Sequence, residues 1–354
     1  MNICIVCDQY PIPPRTLKMR DSILKMNHSF NVRIYVWNRA GVVVQEEYVT
    51  SLNDTFGYGN QYKKLVYLIK FLFAFKKHLN QHPIDILHGV DFEMAFVCSL
   101  LKKDRKLIYE VYDIKFFANR LVNQTRVLLE KWMMRKVDGI IYASPFFSQY
   151  YQANNYPNSQ GITINNKPLK SSISFVNKDR ISNDVTLGFI GVLRYKEILV
   201  NLLDAIAGLQ SIHLLLAGSG PDEMFLRQYV RKKGIESNVT FTGRFDLSQL
   251  AYLYSQCDLV WAAYPNKDAN VYYAVSNKFF ESIAFNKRVI VSIDTLLAQW
   301  VKRENLGFTV DPYDVNAIRE LLVSLKDIAN EQLTSSSDMF WENEEDRIKE
   351  VYSF

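Results

Sequence analysis

The chain has 354 residues, 48% of them hydrophobic and 22% charged, which at about 150 residues per domain is material for two cores and excludes disordered or collagen-like chains. The net charge of +5 hides an asymmetry: residues 1–170 carry 23 Lys and Arg against 13 Asp and Glu, and the remainder 19 against 24. The first half is therefore suited to face an anionic surface or partner, although no nucleic-acid-binding motif accompanies the charge, so no nucleic acid is expected.

Met1 to Asp8 reads as a buried first strand rather than a signal peptide, which gives a cytoplasmic expectation. No run reaches the ~18 apolar residues of a membrane span. Four cysteines are too few for a disulfide framework in a chain of this length. Cys4 and Cys7 have a redox or zinc spacing, but in a strand positions three apart face opposite sides, so they read as buried small residues. The 22 Phe and 21 Tyr fit aromatic-rich packing, sugar-stacking surfaces or an interfacial patch.

Apolar, β-branched runs alternate with helical patterns to about residue 325, the pattern of parallel α/β architecture. The predicted strands of the first half are Ile3–Cys7, Val32–Trp37, Ile86–His88, Leu107–Val111, Gly139–Ala143 and Gly161–Ile164. A polar linker is read at 171–184. A second series follows at Thr186–Ile190, His213–Ala217, Val239–Thr242, Leu259–Ala262 and Arg288–Ser292. Two consecutive Rossmann-like domains, 1–170 and 185–330, are expected, with a closing amphipathic helix in 331–354 carrying Trp341, Ile348, Val351 and Tyr352.

The second half carries the chemistry. After the strand Thr186–Ile190, the loop from Gly191 to Lys196 places a glycine, Arg194 and Lys196 at the carboxyl edge of the sheet, where α/β proteins bind ligands. Two cations there suit a diphosphate, and the same residues also fit a solvated basic loop. Gly218-Ser219-Gly220-Pro221 permits a tight turn, either at a ligand or as a plain strand-to-helix connection; it lacks the third glycine of a dinucleotide fingerprint. Ser276 or Asn277 caps a helix whose first amides and positive dipole end suit a phosphate. One turn on, Glu281 is placed either to accept two hydrogen bonds from a ribose diol or to stand on a solvated helix face.

This succession resembles glycosyltransferase family 4 of the GT-B fold, the retaining nucleotide-sugar-dependent transferases. The matching stretches are the Gly191–Lys196 loop, Leu214 to Pro221, Val239 to Gly243, Cys257 to Val260, Asn277 to Ile290, Leu306 to Phe308, Tyr109 to Asp113, and Phe340 to Glu342 with Val351 and Tyr352. The resemblance implies two Rossmann-like domains facing a cleft, with the tail helix crossing back to the first. It also implies that Arg194 and Lys196 neutralise the donor diphosphate, that Glu281 binds the ribose, and that Gly191, Gly218, Ser219, Gly220, Ser276, Asn277 and Lys278 complete the donor pocket. The donor is a nucleotide sugar, a UDP-sugar first. No cofactor or metal is expected at the chemical step. One departure is that many members carry an acid eight positions before the ribose-binding one, where this chain has Tyr273. Lys278 or a polar residue of Asp268 to Asn270 is left to act near the sugar.

In the first half, His88, Asp91, Glu110 and Asp113 stand at or near strand ends and are read as acceptor-side groups, Asp113 as the catalytic one, with helix capping as its alternative. Glu110 lies on the apolar strand itself, where a buried carboxylate calls for a specific partner that the sequence does not name. Residues 62–78 form a short apolar run flanked by lysines, suited to an anionic membrane surface or to a domain helix with snorkelling lysines. The expected activity is hexosyl transfer (EC 2.4) to a glycan or lipid-linked saccharide, in capsule or exopolysaccharide synthesis, with the protein peripheral on the inner membrane face. Alternatives are a nucleotide-sugar epimerase, or a non-catalytic GT-B partner of another transferase, for which Tyr273 is the suggestive feature.

Overall fold

The computed structural model describes residues 1–39, 41–53, 61–173, 185–325, 333 and 338–353. Most of the expected linker, residues 174–184, and the start of the expected tail segment lie outside the described residues. The chain forms two compact units, Met1–Asn165 with Glu344–Phe354, and Asn166–Asn343.

Among the described residues the first unit is built on seven strands: β1 (Asn2–Cys7), β2 (Asn31–Asn38), β3 (Val49–Asn53), β4 (Ile86–Val90), β5 (Lys106–Val111), β6 (Gly139–Tyr142) and β7 (Ile162–Thr163). They pair in parallel in the order β3-β2-β1-β4-β5-β6-β7, with Ile3 opposite both Val32 and Ile86. The central strands are buried on both faces, which is why they read as continuous apolar runs. Burial pushes the Cys4 and Cys7 thiols up to about 12, as inert packing groups.

Around this sheet lie α1 (Pro14–Met26), α2 (Gln61–Gln81), α3 (Asp91–Leu101), α4 (Arg120–Met134) and α5 (Phe147–Ala153). The right-handed crossover rule applied to this strand order puts α2 to α5 on one face and α1 on the other. Gly89 lets β4 meet α3 directly, since a Cβ there would lie 2.4 Å from Ala95 Cα.

Among the described residues the second unit has six parallel strands, β8 (Val185–Ile190), β9 (Ile212–Ala217), β10 (Val239–Gly243), β11 (Leu259–Ala262), β12 (Arg288–Ser292) and β13 (Gly307–Val310), in the order β10-β9-β8-β11-β12-β13. Helices α6 (Lys196–Ile206), α7 (Glu223–Lys233), α8 (Leu250–Ser255), α9 (Ala269–Tyr273), α10 (Asn277–Ala284), α11 (Leu296–Arg303) and α12 (Val315–Ser324) connect or flank them. Helix α6 buries Ile198, Leu199, Leu202 and Leu203 against the sheet in a large apolar core.

Two strands were not read from the sequence, β3 and β13. Both are sheet edges, and their residues are mostly half-buried, so neither carries the continuous apolar run that marks an interior strand. The tail also differs from the expected single helix. Trp341 belongs to a short 3-10 turn, Trp341–Glu344, and the α-helix proper, α13, runs Glu345–Tyr352. It opens with Glu345 and Asp346, acids that suit the positive end of a helix. Helix α13 packs on α1, β6 and β7 within the first unit.

Candidate active site

In the second unit the strand order reverses between β8 and β11, and the loops at their carboxyl ends hold the residues singled out in the sequence. The β8–α6 and β9–α7 loops continue the ladder beyond the strands: Gly191 N donates to Ala217 O (2.8 Å) and Leu193 N to Ser219 O (3.0 Å). Their backbones touch. A Cβ on Gly218, at φ +128°, would stand 2.0 Å from Gly191 O, and one on Gly220 would stand 2.2 Å from Leu193 O. The glycines are therefore required by loop-against-loop packing, which leaves Ser219 exposed at the rim.

Tyr195 caps α6 in the left-handed region, at φ 67° and ψ 56°. For a bulky residue this conformation is strained. Its ring packs edge-on against Tyr264, with centroids 5.9 Å apart. The turn sends Arg194 and Lys196 outward: the Arg194 guanidinium lies 4.9 Å over the Tyr195 ring and the Lys196 ammonium 4.7 Å over Phe225. Both are exposed, and neither forms an ion pair among the described residues.

Lys278 is different, being only 8% exposed. Its ammonium donates to Tyr264 OH (2.7 Å) and lies 4.5 Å over the Phe189 ring. A Cβ on Gly191 would meet Nζ at 2.8 Å, so the absent side chain leaves the cation its place at the end of β8. No carboxylate pairs with it among the described residues. Ser276 occupies the N-cap position of α10, but its hydroxyl bonds to no backbone amide and is buried without a partner among the described residues. The expected Ser276 side-chain cap is therefore not formed. Asn277 Oδ1 accepts from Asn166 Nδ2 (2.9 Å). One turn on, Glu281 Oε2 accepts from Tyr254 OH (2.7 Å), and Tyr254 stacks flat on Phe285 at 4.6 Å. Burial, with the Glu281 charge, pushes the Tyr254 hydroxyl well above its ordinary range, so it stays a donor. Asp268 accepts from Asn270 N (2.8 Å) as the cap of α9, and Tyr273 ends that helix. Of the groups left to act in place of an acid at 273, Lys278 is the one whose charge is directed to the end of β8.

In the first unit, the structure corrects the acceptor-side reading of His88 and Glu110. Both are fully buried and engaged with each other, so neither reaches an acceptor. Arg15 Nε and Nη2 hold Glu110 Oε1 at 2.9 and 2.8 Å, and His88 Nε2 donates to Oε2 at 3.0 Å. The other ring nitrogen, Nδ1, shares a hydrogen bond with Tyr352 OH on α13, at 2.5 Å. Burial alone would raise the Glu110 carboxyl, but Arg15 and His88 outweigh it and hold it below the ordinary range. The strand positions looked like strand ends, but alternation turned these side chains into the interior under α1 and α13.

Asp91 and Asp113 stand beyond the ends of β4 and β5. Asp91, at φ 59°, accepts from the backbone N–H groups of Tyr112 (3.0 Å) and Asp113 (3.3 Å) and lies 3.3 Å from Lys115 Nζ. Burial pushes its carboxyl up to about 7 despite Lys115. Asp113 is exposed, and it caps no helix: α4 begins under Asn119, whose side chain accepts from Leu121 N and Val122 N. Tyr195, Tyr254 and Tyr264 went unnoticed in the sequence, since a tyrosine gives no local sign that it braces a charged neighbour.

Two doubly wound parallel sheets, the second with glycine-backed loops and cations at its switch point, set the fold class and the place of the site. The family comparison places the chain more closely: residues 184–327 match the model "Glycosyl transferases group 1", and residues 35–167 match "Glycosyl transferase 4-like domain". The chain belongs to the family 4-like glycosyltransferases of the GT-B fold. No curated protein sequence matches it. Among solved structures, it is similar to a sucrose-phosphate synthase from Thermosynechococcus elongatus, at 17% identity and TM-score 0.74, covering 99% of this chain and 95% of that one. Anabaena Alr3699/HepE, solved with UDP and glucose, matches at 15% identity and TM-score 0.74, covering 100% and 99%. The lipopolysaccharide outer core galactosyltransferase WaaB matches at 12% identity and TM-score 0.66, covering 99% of each chain. At these identities the likeness is one of fold.

Proposed function

We propose that this glycosyltransferase moves a hexosyl group, with retention of configuration, from a UDP-sugar to a glycan or lipid-linked saccharide acceptor in surface polysaccharide synthesis, working at the inner membrane face. The observation that carries the donor reading is the buried, carboxylate-free Lys278 ammonium at the end of β8, beside the Gly191 and Gly218 loops and the uncapped start of α10. A cation without a carboxylate in that place is suited to an incoming anion. The UDP and UDP-glucose bound by Alr3699/HepE support a UDP-sugar, and the name of WaaB supports a surface saccharide.

In this reading Arg194 and Lys196 swing from their aromatic rests onto the diphosphate, and Lys278 meets it from below. Amides near Gly218 and Asn277 add hydrogen bonds, the Gly218 N–H itself being held by Gly243 O, and Glu281 takes the ribose diol with the oxygen capacity that Tyr254 leaves. The acceptor oxygen bonds to the anomeric carbon on the face from which UDP departs. The bond to the phosphate oxygen breaks, and the acceptor proton passes to that oxygen. The chain's cations stabilise the charge that develops there, so catalysis is by positioning and electrostatics, with no cofactor or metal invoked. Asp91 and Asp113 are the first-unit groups proposed for the acceptor.

The test is a thermal-shift and calorimetric screen against UDP-, GDP-, ADP- and dTDP-sugars, repeated with Glu281→Ala. Selective binding of one donor, lost in the variant, is the expected result. Equal, weak response to all four donors by a folded sample would remove the donor assignment.

A further inference from the structure

Helix α4 is inverted. Its inward face carries charge: Arg126 and Glu130, at 4% and 1% exposure, form an ion pair, and Glu130 also accepts from Tyr109 OH and Tyr151 OH at 2.7 Å each. Its outward face carries large apolar side chains, with Gln124 and Thr125 among them. Leu121 is 74% exposed, Leu128 69% and Trp132 37%, with Val122 and Leu129 beside them. Leu121, Leu128 and Trp132, with the exposed Thr125 between the first two, follow the spacing of one helical face, a stripe roughly 16 Å long at 1.5 Å per residue. Phe96 of α3 extends it, its ring centroid 5.9 Å from that of Trp132. A soluble helix normally presents the opposite pattern.

The charge around the stripe selects its partner. The one acid of α4 is the buried Glu130, while Arg120 and Arg135 are exposed and Lys131 and Lys136 half-buried at its flanks. The Lys136 ammonium lies 3.7 Å over the Trp132 ring. Across residues 61–138 there are 15 Lys and Arg against 8 Asp and Glu. A second copy docked face to face would bring these cations against their own kind. An anionic bilayer satisfies both features, taking the Leu and Trp side chains into the headgroup boundary and the cations against its phosphates. Helix α2, on the same face of the sheet, presents a shorter outward set, Val66, Ile69 and Phe73, with Phe71 and Phe75 buried.

We infer that the outward stripe of α4 is the surface that docks the protein on an anionic lipid membrane. The inference rests on the membrane part of the reading above and moves its seat from residues 62–78 to α4. It deepens the acceptor side as well, because a lipid-linked saccharide would be met at that surface.

The experiment is sedimentation of the full chain with phosphatidylglycerol-containing vesicles and with pure phosphatidylcholine vesicles. Wild type should bind the anionic vesicles and release them as salt is raised. Leu128→Glu with Leu129→Glu should weaken binding by about tenfold or more, while Val66→Glu with Phe73→Glu should weaken it less. Both pairs are at exposed positions, and an unchanged UDP response shows that the variants are folded. Brominated lipid should quench wild-type fluorescence, and Trp132→Phe should remove most of that quenching, since Trp37, Trp261 and Trp341 are fully buried and the half-buried Trp300 packs on Phe279 and Phe280 in the second unit. Undiminished binding by the α4 pair, with loss confined to the α2 pair, would overturn the α4 assignment and leave the membrane reading standing. Absence of any vesicle binding by wild type would overturn both, and donor binding would still be judged separately. A wild-type dimer dissolved by the α4 substitutions would make the stripe a self-interface and overturn the inference.

Discussion

Replacing Lys278 by Met separates a ligand-binding cation from a structural one, because the two roles move stability and affinity in different directions. The side chain is nearly buried, gives one hydrogen bond to Tyr264 OH, rests over Phe189, and faces no carboxylate among the described residues. Its removal loses a cation–π contact of about 0.5–2 kcal/mol and a hydrogen bond. It also relieves the desolvation of an ammonium, which costs several kcal/mol per ion. Met fills similar volume. The balance is a folded state between equally stable and about 2 kcal/mol more stable, and each kcal/mol moves the thermal midpoint by about 2–4 °C in a chain of this size. Toward UDP the change is a loss: a hydrogen bond from a charged donor is worth about 1.5–3 kcal/mol, or about 10- to 150-fold in Kd. Denaturant titration and calorimetry with UDP on the same preparation read both quantities. A variant destabilised by about 3 kcal/mol or more with unchanged UDP affinity would refute the reasoning and make Lys278 a packing residue.

Two further predictions concern the glycine loops and the buried network. Gly218→Ala should cost about 3 kcal/mol or more and abolish UDP binding, because its methyl would meet Gly191 O at 2.0 Å at φ +128°. Gly234→Ala, at φ +65° with nothing within 4 Å, should cost about 1–2 kcal/mol with donor affinity intact, and equal effects at the two sites would refute the loop-contact argument. The Glu110 carboxyl is held below its ordinary 4.5, so its stabilising contribution is complete above that pH and is lost as pH falls through the folded-state value. Glu110→Gln should therefore be about 3–5 kcal/mol less stable at neutral pH and show a flatter stability profile below pH 4.5. An unchanged acid limb by denaturant titration would remove Glu110 from the acid response.

The sequence by itself determined the class of fold. Interior parallel strands are buried on both faces, so Ile3–Cys7, Leu107–Val111 and Arg288–Ser292 carry their assignment in a few consecutive residues, whereas the edge strands β3 and β13 do not. It also placed Gly191 and Gly218 at the carboxyl edge of the second sheet, because each follows a strand directly in the chain, and a strand end in a parallel sheet has a fixed address.

Tertiary structure decided what each charge faces. His88 and Glu110 look like strand-end functional groups until Arg15 and Tyr352, distant in sequence, close around them. Lys278 and Glu281 lie on one short helix, yet one is set among Phe189, Tyr264 and the vacant side of Gly191 while the other is held by Tyr254. The inversion of α4 is likewise invisible locally: Arg126 and Glu130 can turn inward only because Tyr109 and Tyr151 supply hydrogen bonds there, and that turns the leucines outward. Periodicity fixes which residues share a face, but which face is buried depends on partners that the chain brings in from elsewhere.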